Sequence, residues 1–341
     1  MANTPTFRVN ARPLRNLSVV LRHQNILTNV QTLILDDLTV AGEYLNDILE
    51  DPTLNVRILS MREARGLPHE HLQQVLKHAC RSGRPEGMPK LKAVYLFGHV
   101  KEGTLVDHRA YNLRLPRNVD IEKAKVVAGL RRADPWWCRK GEVIRKYFVD
   151  QDWASCLLAC EGKIAFDAVA CRGPRHENSP VFVSMPASDN PRYGLPALAC
   201  YSVSGCESCG SSPEGLFYPT DDLTQTNVPL LGPPPLLSSS LRAAKTPGPY
   251  ATPFVPRCAE CLEQRYCAGC HKWWCEACYT PPEWQPAAST LFGVDDDGAA
   301  EDLEFVTASP PKPKVRNIFC AQCEDVAEST KQFKPEWYFP E

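Results

Sequence analysis

Cysteine pairs with two residues between the thiols dominate the C-terminal part of the chain. The five pairs are Cys206 and Cys209, Cys258 and Cys261, Cys267 and Cys270, Cys275 and Cys278, and Cys320 and Cys323. Two intervening residues let both sulfurs reach one ion from a tight turn, and two such turns complete a tetrahedral zinc shell. The sequence therefore predicts structural zinc, about two to three ions per chain.

These pairs can be joined through zinc in more than one way. In a cross-brace, alternate pairs along the chain share an ion. One ion then takes the thiols of Cys258, Cys261, Cys275 and Cys278. The other takes those of Cys267, Cys270, Cys320 and Cys323. Cys206 and Cys209 either complete a third site with Cys200 or His271, or replace Cys320 and Cys323 in the second. Ten thiols do not fill a whole number of four-thiol sites, so a choice of this kind is needed.

The chemistry that these residues offer is structural rather than catalytic. A catalytic zinc keeps an open coordination position, whereas sulfur can close every site here. No catalytic residue and no other cofactor is predicted, and we expect no enzymatic activity. Between Arg257 and Thr280 the sequence has three Lys/Arg and three Glu, so their charges cancel. The excess of positive charge expected of a nucleic-acid-binding surface is therefore missing. Trp273 and Trp274 either contact a protein partner or pack the small core.

The bulk composition bounds the class of protein. The chain has 341 residues, sixteen cysteines and a formal net charge of −2. Its N-terminus lacks the apolar core of a secretory signal, and no apolar run is long enough to span a membrane. Paired cysteines in a reducing compartment are metal ligands more often than disulfides. We expect a cytoplasmic or nuclear protein that has no membrane or nucleic-acid partner.

The N-terminal region, residues 1–110, carries a degenerate repeat. Three segments share the spacing apolar-x-x-apolar-x-apolar: Val30, Leu33 and Leu35; Val56, Leu59 and Met61; Leu91, Val94 and Leu96. Helical spacing follows the first two segments, at Leu45, Ile48 and Leu49 and at Leu72, Val75, Leu76 and Ala79. A strand followed by a helix in each unit predicts an α/β fold of leucine-rich-repeat type. The alternative is an ordinary α/β domain whose strands share this spacing.

Residues 111–204 continue in α/β style. The pattern predicts a helix over 120–130, a helix over 153–160 with Asp152 as its N-cap, and a strand over 163–169. Four potential ligands lie nearby: Cys156, Cys160, Cys171 and His176. They could form a metal site, but we favour buried thiols that act as small apolar side chains.

Composition changes again after residue 204. Ten prolines lie between Pro213 and Pro256, which predicts a Pro-rich linker over 205–256 that carries one cysteine pair. A small, loop-rich zinc module then covers 257–325, and a tail covers 326–341. Such a module has few apolar residues, so bound metal must supply much of its folding free energy.

Several segments together resemble a fungal family of F-box and leucine-rich-repeat-like proteins with a cysteine-rich C-terminus, of the type labelled ubiquitin fusion degradation proteins. The carrying segments are residues 55–64, 81–99, 152–177, 205–216 and 265–280. The resemblance implies a non-enzymatic substrate receptor of an SCF-type ubiquitin ligase. In such a ligase the F-box binds a Skp-type adaptor and through it a cullin, while the remaining surface recruits a protein substrate. No clear F-box is visible in residues 1–30.

Two alternative functions remain open. The cysteine cluster could act like a RING or in-between-RING domain and position a ubiquitin-conjugating enzyme. The five residues between Cys261 and Cys267 are, however, short for the first loop of a RING. The second alternative is a zinc-stabilised nuclear scaffold.

Overall fold

The computed structural model describes fourteen stretches of the chain. They are residues 20, 23–24, 26–40, 42–84, 87–98, 141–142, 144, 152–182, 193–216, 228–230, 232–243, 255–281, 314–316 and 319–323. The chain divides into two compact units. Unit 1 comprises Met1–Cys171, Pro196–Ser204 and Leu216–Ala259, and unit 2 comprises Arg172–Leu195, Gly205–Gly215 and Glu260–Glu341.

The described residues form short strands and helices. In chain order they are β1 (Thr32–Ile34), α1 (Gly42–Glu50), β2 (Ile58–Ser60), α2 (His69–Ala79), β3 (Ala93–Tyr95), β4 (Gly141–Glu142), α3 (Trp153–Cys160), β5 (Ala165–Phe166), β6 (Tyr201–Val203), β7 (Val255–Arg257), α4 (Ala259–Leu262), β8 (Val315–Arg316) and β9 (Phe319–Cys320). A 3-10 turn covers Ser238–Ser240.

A parallel sheet with the order β1-β2-β3-β5 forms the centre of unit 1. Leu33 pairs with Leu59, Leu59 with Val94, and Val94 with Phe166. Leu33, Leu59 and Val94 are equivalent positions of the apolar spacing seen in the sequence, so the three predicted strands are confirmed. β5 lies within the strand predicted over 163–169. Together with its helices, the sheet confirms the α/β class.

Three helices bury their apolar faces in the core of unit 1. α1 buries Leu45, Ile48 and Leu49, as their helical spacing predicts. α2 begins after Pro68, whose ring suits a helix start. α3 is apolar on most sides, and Trp153 is fully buried there, with its ring edge-on to Phe97 at 5.5 Å between centroids. α2 packs against both α1 and α3.

Asp152 is the N-cap residue of α3, as predicted, but its side chain forms no capping hydrogen bond. Its carboxylate lies 3.6 Å from the ammonium of Lys77 on α2 instead. The sequence therefore predicted the position of the N-cap residue correctly, but Asp152 does not form the side-chain hydrogen bond that usually makes an aspartate a good N-cap.

The segment predicted as a Pro-rich linker, 205–256, is divided between the two units. Its first part, Gly205–Gly215, belongs to unit 2. Further along, Val228, Leu230 and Ala243 are buried in unit 1, and the Leu230 N–H donates to the Phe166 carbonyl at 2.8 Å. β7 completes an antiparallel sheet of order β4-β6-β7. In the described parts, apolar residues between the prolines thus reach the core of unit 1.

Unit 2 has little regular secondary structure. β8 pairs with β9 in antiparallel register, and Tyr266 and Trp273 form an isolated antiparallel bridge. The helix predicted over 120–130 and the tail over 326–341 lie outside the described residues. No helix among the described residues is long and apolar enough to cross a membrane.

Candidate metal centres

Four thiols of unit 2 form the first candidate centre, called cluster A: Cys206, Cys209, Cys275 and Cys278. The Sγ atoms of Cys209 and Cys275 are 3.7 Å apart. The Sγ of Cys206 accepts hydrogen bonds from the backbone N–H groups of Ser208, at 3.4 Å, and of Cys275, at 3.2 Å. Each Cys-x-x-Cys turn thus presents backbone N–H groups as well as sulfur to the centre.

The turn that carries Cys206 and Cys209 is unusually tight. The Gly210 N–H donates to the Cys206 carbonyl at 2.8 Å, and Gly210 has a left-handed φ of 71°. A β-carbon placed on Gly205 would lie 2.0 Å from the Gly210 carbonyl oxygen. Only glycine therefore fits at position 205 without moving the backbone.

Four further thiols of unit 2 form cluster B: Cys267, Cys270, Cys320 and Cys323. The Sγ atoms of Cys270 and Cys320 are also 3.7 Å apart, and the Cys320 N–H donates to the Cys267 Sγ at 3.3 Å. Trp274, Val315 and Phe319 pack around these thiols. Clusters A and B thus share the same arrangement of turns.

Hydrogen bonds from the backbone prepare one thiol in each cluster to lose its proton. Burial opposes ionisation of Cys206, but N–H donors from Cys275, Cys209 and Ser208 outweigh it and lower the pKa of this thiol to about 7. The pKa of Cys267 is lowered in the same way, against burial, by the N–H groups of Cys320 and Cys270. Metal binds the thiolate form, so both sites favour deprotonated sulfur.

Three further thiols of the two clusters, Cys270, Cys275 and Cys323, resist ionisation. Burial raises the pKa of Cys270 to about 11 and also raises the pKa values of Cys275 and Cys323. Neighbouring thiols add to the effect. A cation at the centre would remove this penalty, because it offsets the repulsion between the thiolates that share it.

The segment 265–276 connects clusters A and B. The Cys267 N–H donates to the Lys272 carbonyl at 2.8 Å, and the Trp274 N–H donates to the Arg265 carbonyl at 3.0 Å. The guanidinium of Arg265 is fully buried, and its Nη2 lies 2.6 Å from Oε1 of Glu276. This ion pair fixes the start of the segment to the turn that carries Cys275.

Four further potential ligands are buried. Cys171 and Cys258 belong to unit 1, and His176 and Cys261 belong to unit 2. The Cys258 N–H donates to the Cys171 Sγ at 3.2 Å, and Nε2 of His176 lies 3.3 Å from the Cys261 Sγ. Nδ1 of His176 donates to the Leu195 carbonyl at 2.7 Å, which leaves Nε2 with the lone pair that a metal ion requires.

The pairing predicted for the first ion is wrong. Cys275 and Cys278 join Cys206 and Cys209 rather than Cys258 and Cys261. Cys171 lies against Cys258 in unit 1, and His176 lies against Cys261 in unit 2, contacts that the favoured interpretation as packing residues did not include. Sequence reasoning missed these contacts because four residues separate Cys171 from His176, outside the Cys-x-x-Cys spacing.

The four thiols predicted for the second ion do come together, as cluster B. Among the four pairs of clusters A and B alone, alternate pairs along the chain share a cluster, as in a cross-brace. Replacement of Cys320 and Cys323 by Cys206 and Cys209 is not observed.

Neither additional ligand candidate belongs to a metal-ligand group of the described residues. Cys200 is buried in the core of unit 1. Nδ1 of His271 is 2.6 Å from the hydroxyl of Tyr266. Of the two tryptophans, Trp273 is 1% exposed and therefore a packing residue, whereas Trp274 is partly buried against cluster B.

Clusters A and B can thus each hold a metal ion with four thiol ligands. Comparison with protein families, curated proteins and solved structures finds no match to this chain. What the centres do must therefore be argued from their own geometry.

Proposed function

We propose that clusters A and B are structural zinc sites that fold unit 2 into a protein-binding surface. The observation that carries this proposal is the complete thiol shell of each cluster. A tetrahedral Zn–S shell with bonds of about 2.3 Å places its sulfurs about 3.8 Å apart, and the separations of 3.7 Å fit this value. Four sulfurs leave no open position for a substrate, so the expected role of zinc is structural.

On this basis the protein is a non-enzymatic recognition protein, and we propose that it acts as substrate receptor of an SCF-type ubiquitin ligase. The resemblance of its segments to F-box and leucine-rich-repeat-like proteins supports the assignment to this pathway. The parallel alignment of Leu33, Leu59 and Val94 supports the repeat interpretation, because stacked repeats place equivalent residues side by side. The repeat surface and the zinc-bearing unit would both contribute to recruitment of the substrate.

Affinity capture of the tagged full chain from cells, followed by mass spectrometry, tests this assignment. We expect a cullin and a Skp-type adaptor in the captured material, together with a protein that accumulates when the proteasome is inhibited. Capture of neither cullin nor adaptor would contradict the receptor role. The Cys275→Ser variant serves as a matched comparison, because it should lose the substrate through the loss of cluster A while unit 1 stays folded.

A RING-like ligase is the second candidate, and one specific observation favours it. Clusters A and B interleave, so that the first and third pairs share one centre and the second and fourth share the other. With Cys206 and Cys209 as the first pair, 57 residues separate Cys209 from Cys267. The objection that the first loop is too short for a RING therefore no longer applies.

In the RING-like case the protein performs no covalent chemistry and instead positions a charged ubiquitin-conjugating enzyme. Purified zinc-loaded protein would then support self-ubiquitination with activating enzyme, conjugating enzyme, ubiquitin and ATP. Cys278→Ser should abolish that activity. Absence of self-ubiquitination together with cullin capture would leave the receptor role as the function.

A further inference from the structure

One turn of cluster A lies at the surface of unit 2. Cys209 is exposed, whereas its cluster partners Cys206 and Cys275 are buried. All four residues of the stretch 207–210 are exposed, so the backbone around Cys209 is open to solvent as well. A small molecule in solution can therefore reach cluster A from the side of this turn.

The thiols of cluster B are less accessible. Two of them are buried and the other two are half-buried. The side chains of Trp274 and Phe319 pack against them, together with Val315. Clusters A and B thus offer the same four-thiol shell but differ in their access to solvent.

The exposed thiol has a second sulfur within easy reach. The Sγ atoms of Cys209 and Cys275 are 3.7 Å apart, and they belong to different turns of cluster A. A disulfide holds its sulfurs at about 2.05 Å, so these two must approach each other by about 1.7 Å. Rotation of the two side chains about χ1 supplies a movement of this size without a change of fold.

A bond between these sulfurs would take two ligands away from cluster A. The two thiols that remain, Cys206 and Cys278, cannot complete a tetrahedral shell. The same turns also hold the segment 265–276, because the Glu207 N–H donates to the Trp273 carbonyl at 2.9 Å. Loss of the metal would therefore loosen the segment that connects clusters A and B.

We propose that cluster A is a peroxide-sensitive metal site in which Cys209 and Cys275 close to a disulfide and the zinc ion is released. This inference rests on the proposed structural zinc sites and adds a way to control the binding surface that they fold. Cluster B keeps its metal under the same conditions, because Trp274 and Phe319 shield its thiols.

The reaction has two steps. The Cys209 thiolate attacks one oxygen of hydrogen peroxide, the O–O bond breaks, hydroxide leaves, and a sulfenic acid forms on Cys209. The Cys275 thiolate then attacks the Cys209 sulfur and displaces the hydroxyl group as a second hydroxide. Two thiolates and one hydrogen peroxide thus become one disulfide and two hydroxide ions.

Peroxide titration of the full-length, zinc-loaded protein with a coloured zinc indicator tests the proposal. The release of one zinc ion per chain should precede the release of any other. At that stage, alkylation of the free thiols, proteolysis and mass spectrometry should find Cys209 cross-linked to Cys275. Dithiothreitol with added zinc should remove the cross-link and restore the zinc content.

Two histidine variants provide a matched pair. Cys209→His keeps a side chain that binds zinc but cannot form a disulfide, so the first release of zinc should be lost. Cys323→His makes the same change in cluster B and should leave the first release unaltered.

The unaltered protein by itself can overturn the proposal. Cluster B could empty first, or the first cross-link could join Cys206 to Cys209; either result would contradict the peroxide-sensitive site and leave the structural zinc sites standing. Elemental analysis before oxidation separates the two claims, since a protein that holds no zinc at that point would overturn both.

Discussion

The backbone N–H of Cys275 donates a hydrogen bond to the Sγ of Cys206, although 69 positions separate these residues in the chain. The N–H of Cys320 does the same for the Sγ of Cys267. In both clusters the first cysteine of the later pair thus supports the thiolate of the first cysteine of the earlier pair. One pair of cluster B, Cys267 and Cys270, and one pair of cluster A, Cys275 and Cys278, lie within the same twelve residues of the chain. The two centres therefore share this segment.

Loss of one ligand of cluster A should unfold unit 2 and leave unit 1 folded. Cys275→Ser removes a thiolate from cluster A and disturbs the shared segment. The parallel sheet of unit 1 supplies no ligand to cluster A and should be unaffected. We expect zinc content to fall by at least one ion per chain and amide exchange to become fast in 205–215 and 265–281. Hydrogen-exchange mass spectrometry and elemental analysis measure both effects.

Cys156→Ser is the control for that experiment, since Cys156 lies in unit 1 outside the metal-ligand groups. It should keep the zinc content of the unaltered protein. Fast exchange in β2 and β3 of the Cys275→Ser protein would contradict the expected independence of unit 1.

Gly205→Ala should damage cluster A far more than Gly269→Ala damages cluster B. The new methyl group at position 205 would lie 2.0 Å from the rigid backbone oxygen of Gly210. At position 269 it would lie 3.1 Å from the Cys323 Sγ, a tight contact that needs a shift of only a few tenths of an ångström rather than a move of the backbone. A competition titration with a zinc chelator should show a weaker cluster A only in the first variant, and equal effects would count against the tight turn.

Removal of the buried ion pair between Arg265 and Glu276 should destabilise the shared segment. Glu276→Ala leaves a fully buried guanidinium without its carboxylate, a change that costs roughly 3–5 kcal/mol. Glu207→Ala, which breaks the solvent-exposed pair with Lys272, should cost far less, because water screens that pair. Native-state hydrogen exchange over 265–276 gives both local opening free energies, and similar values would argue against the buried pair.

Unit 1 should become more stable as the pH falls towards 4, through Asp167. Burial raises the pKa of its carboxyl to about 6, although the N–H groups of Leu96, Phe97 and Gly98 all donate to the ionised form. Between pH 4 and 6 the folded state therefore holds more protons than the unfolded state. The unfolding free energy contributed by this group consequently falls as pH rises through that window and is constant above it.

Urea denaturation of unit 1, followed through the amide signals of β3, measures this dependence. Asp167→Asn removes the titrating group and should flatten the profile between pH 4 and 6, in comparison with the unaltered protein. A profile that keeps its slope in the variant would assign the effect to other groups. Amide signals of unit 1 are needed as the probe, because zinc thiolates in unit 2 also take up protons in acid.

Local patterns predicted the local structure well. The spacing of Leu33, Leu59 and Val94 identified three strands and their alignment, since side-chain alternation and helical periodicity act over a few residues. Cysteine spacing likewise identified ten ligand candidates, because a Cys-x-x-Cys turn is itself a local structure.

Partner choice between distant segments could not be predicted in the same way. Five similar pairs are chemically equivalent in sequence, and the packing around the Cys206 turn selects Cys275 over Cys258 as its partner. His176 carries no pairing signal in the sequence, because the orientation of its ring depends on the Leu195 carbonyl. The core position of Leu230 was hidden by the surrounding prolines, which are typical of spacers.

Cadmium substitution tests the central claim most directly. In protein loaded with the NMR-active isotope of cadmium, scalar coupling joins each metal ion to the β-protons of the cysteines that bind it. We predict one ion coupled to Cys206, Cys209, Cys275 and Cys278 and another coupled to Cys267, Cys270, Cys320 and Cys323. Correlation of Cys206 with the same ion as Cys267, or absence of coupling from Cys275, would contradict the interleaved sites on which the proposed function depends.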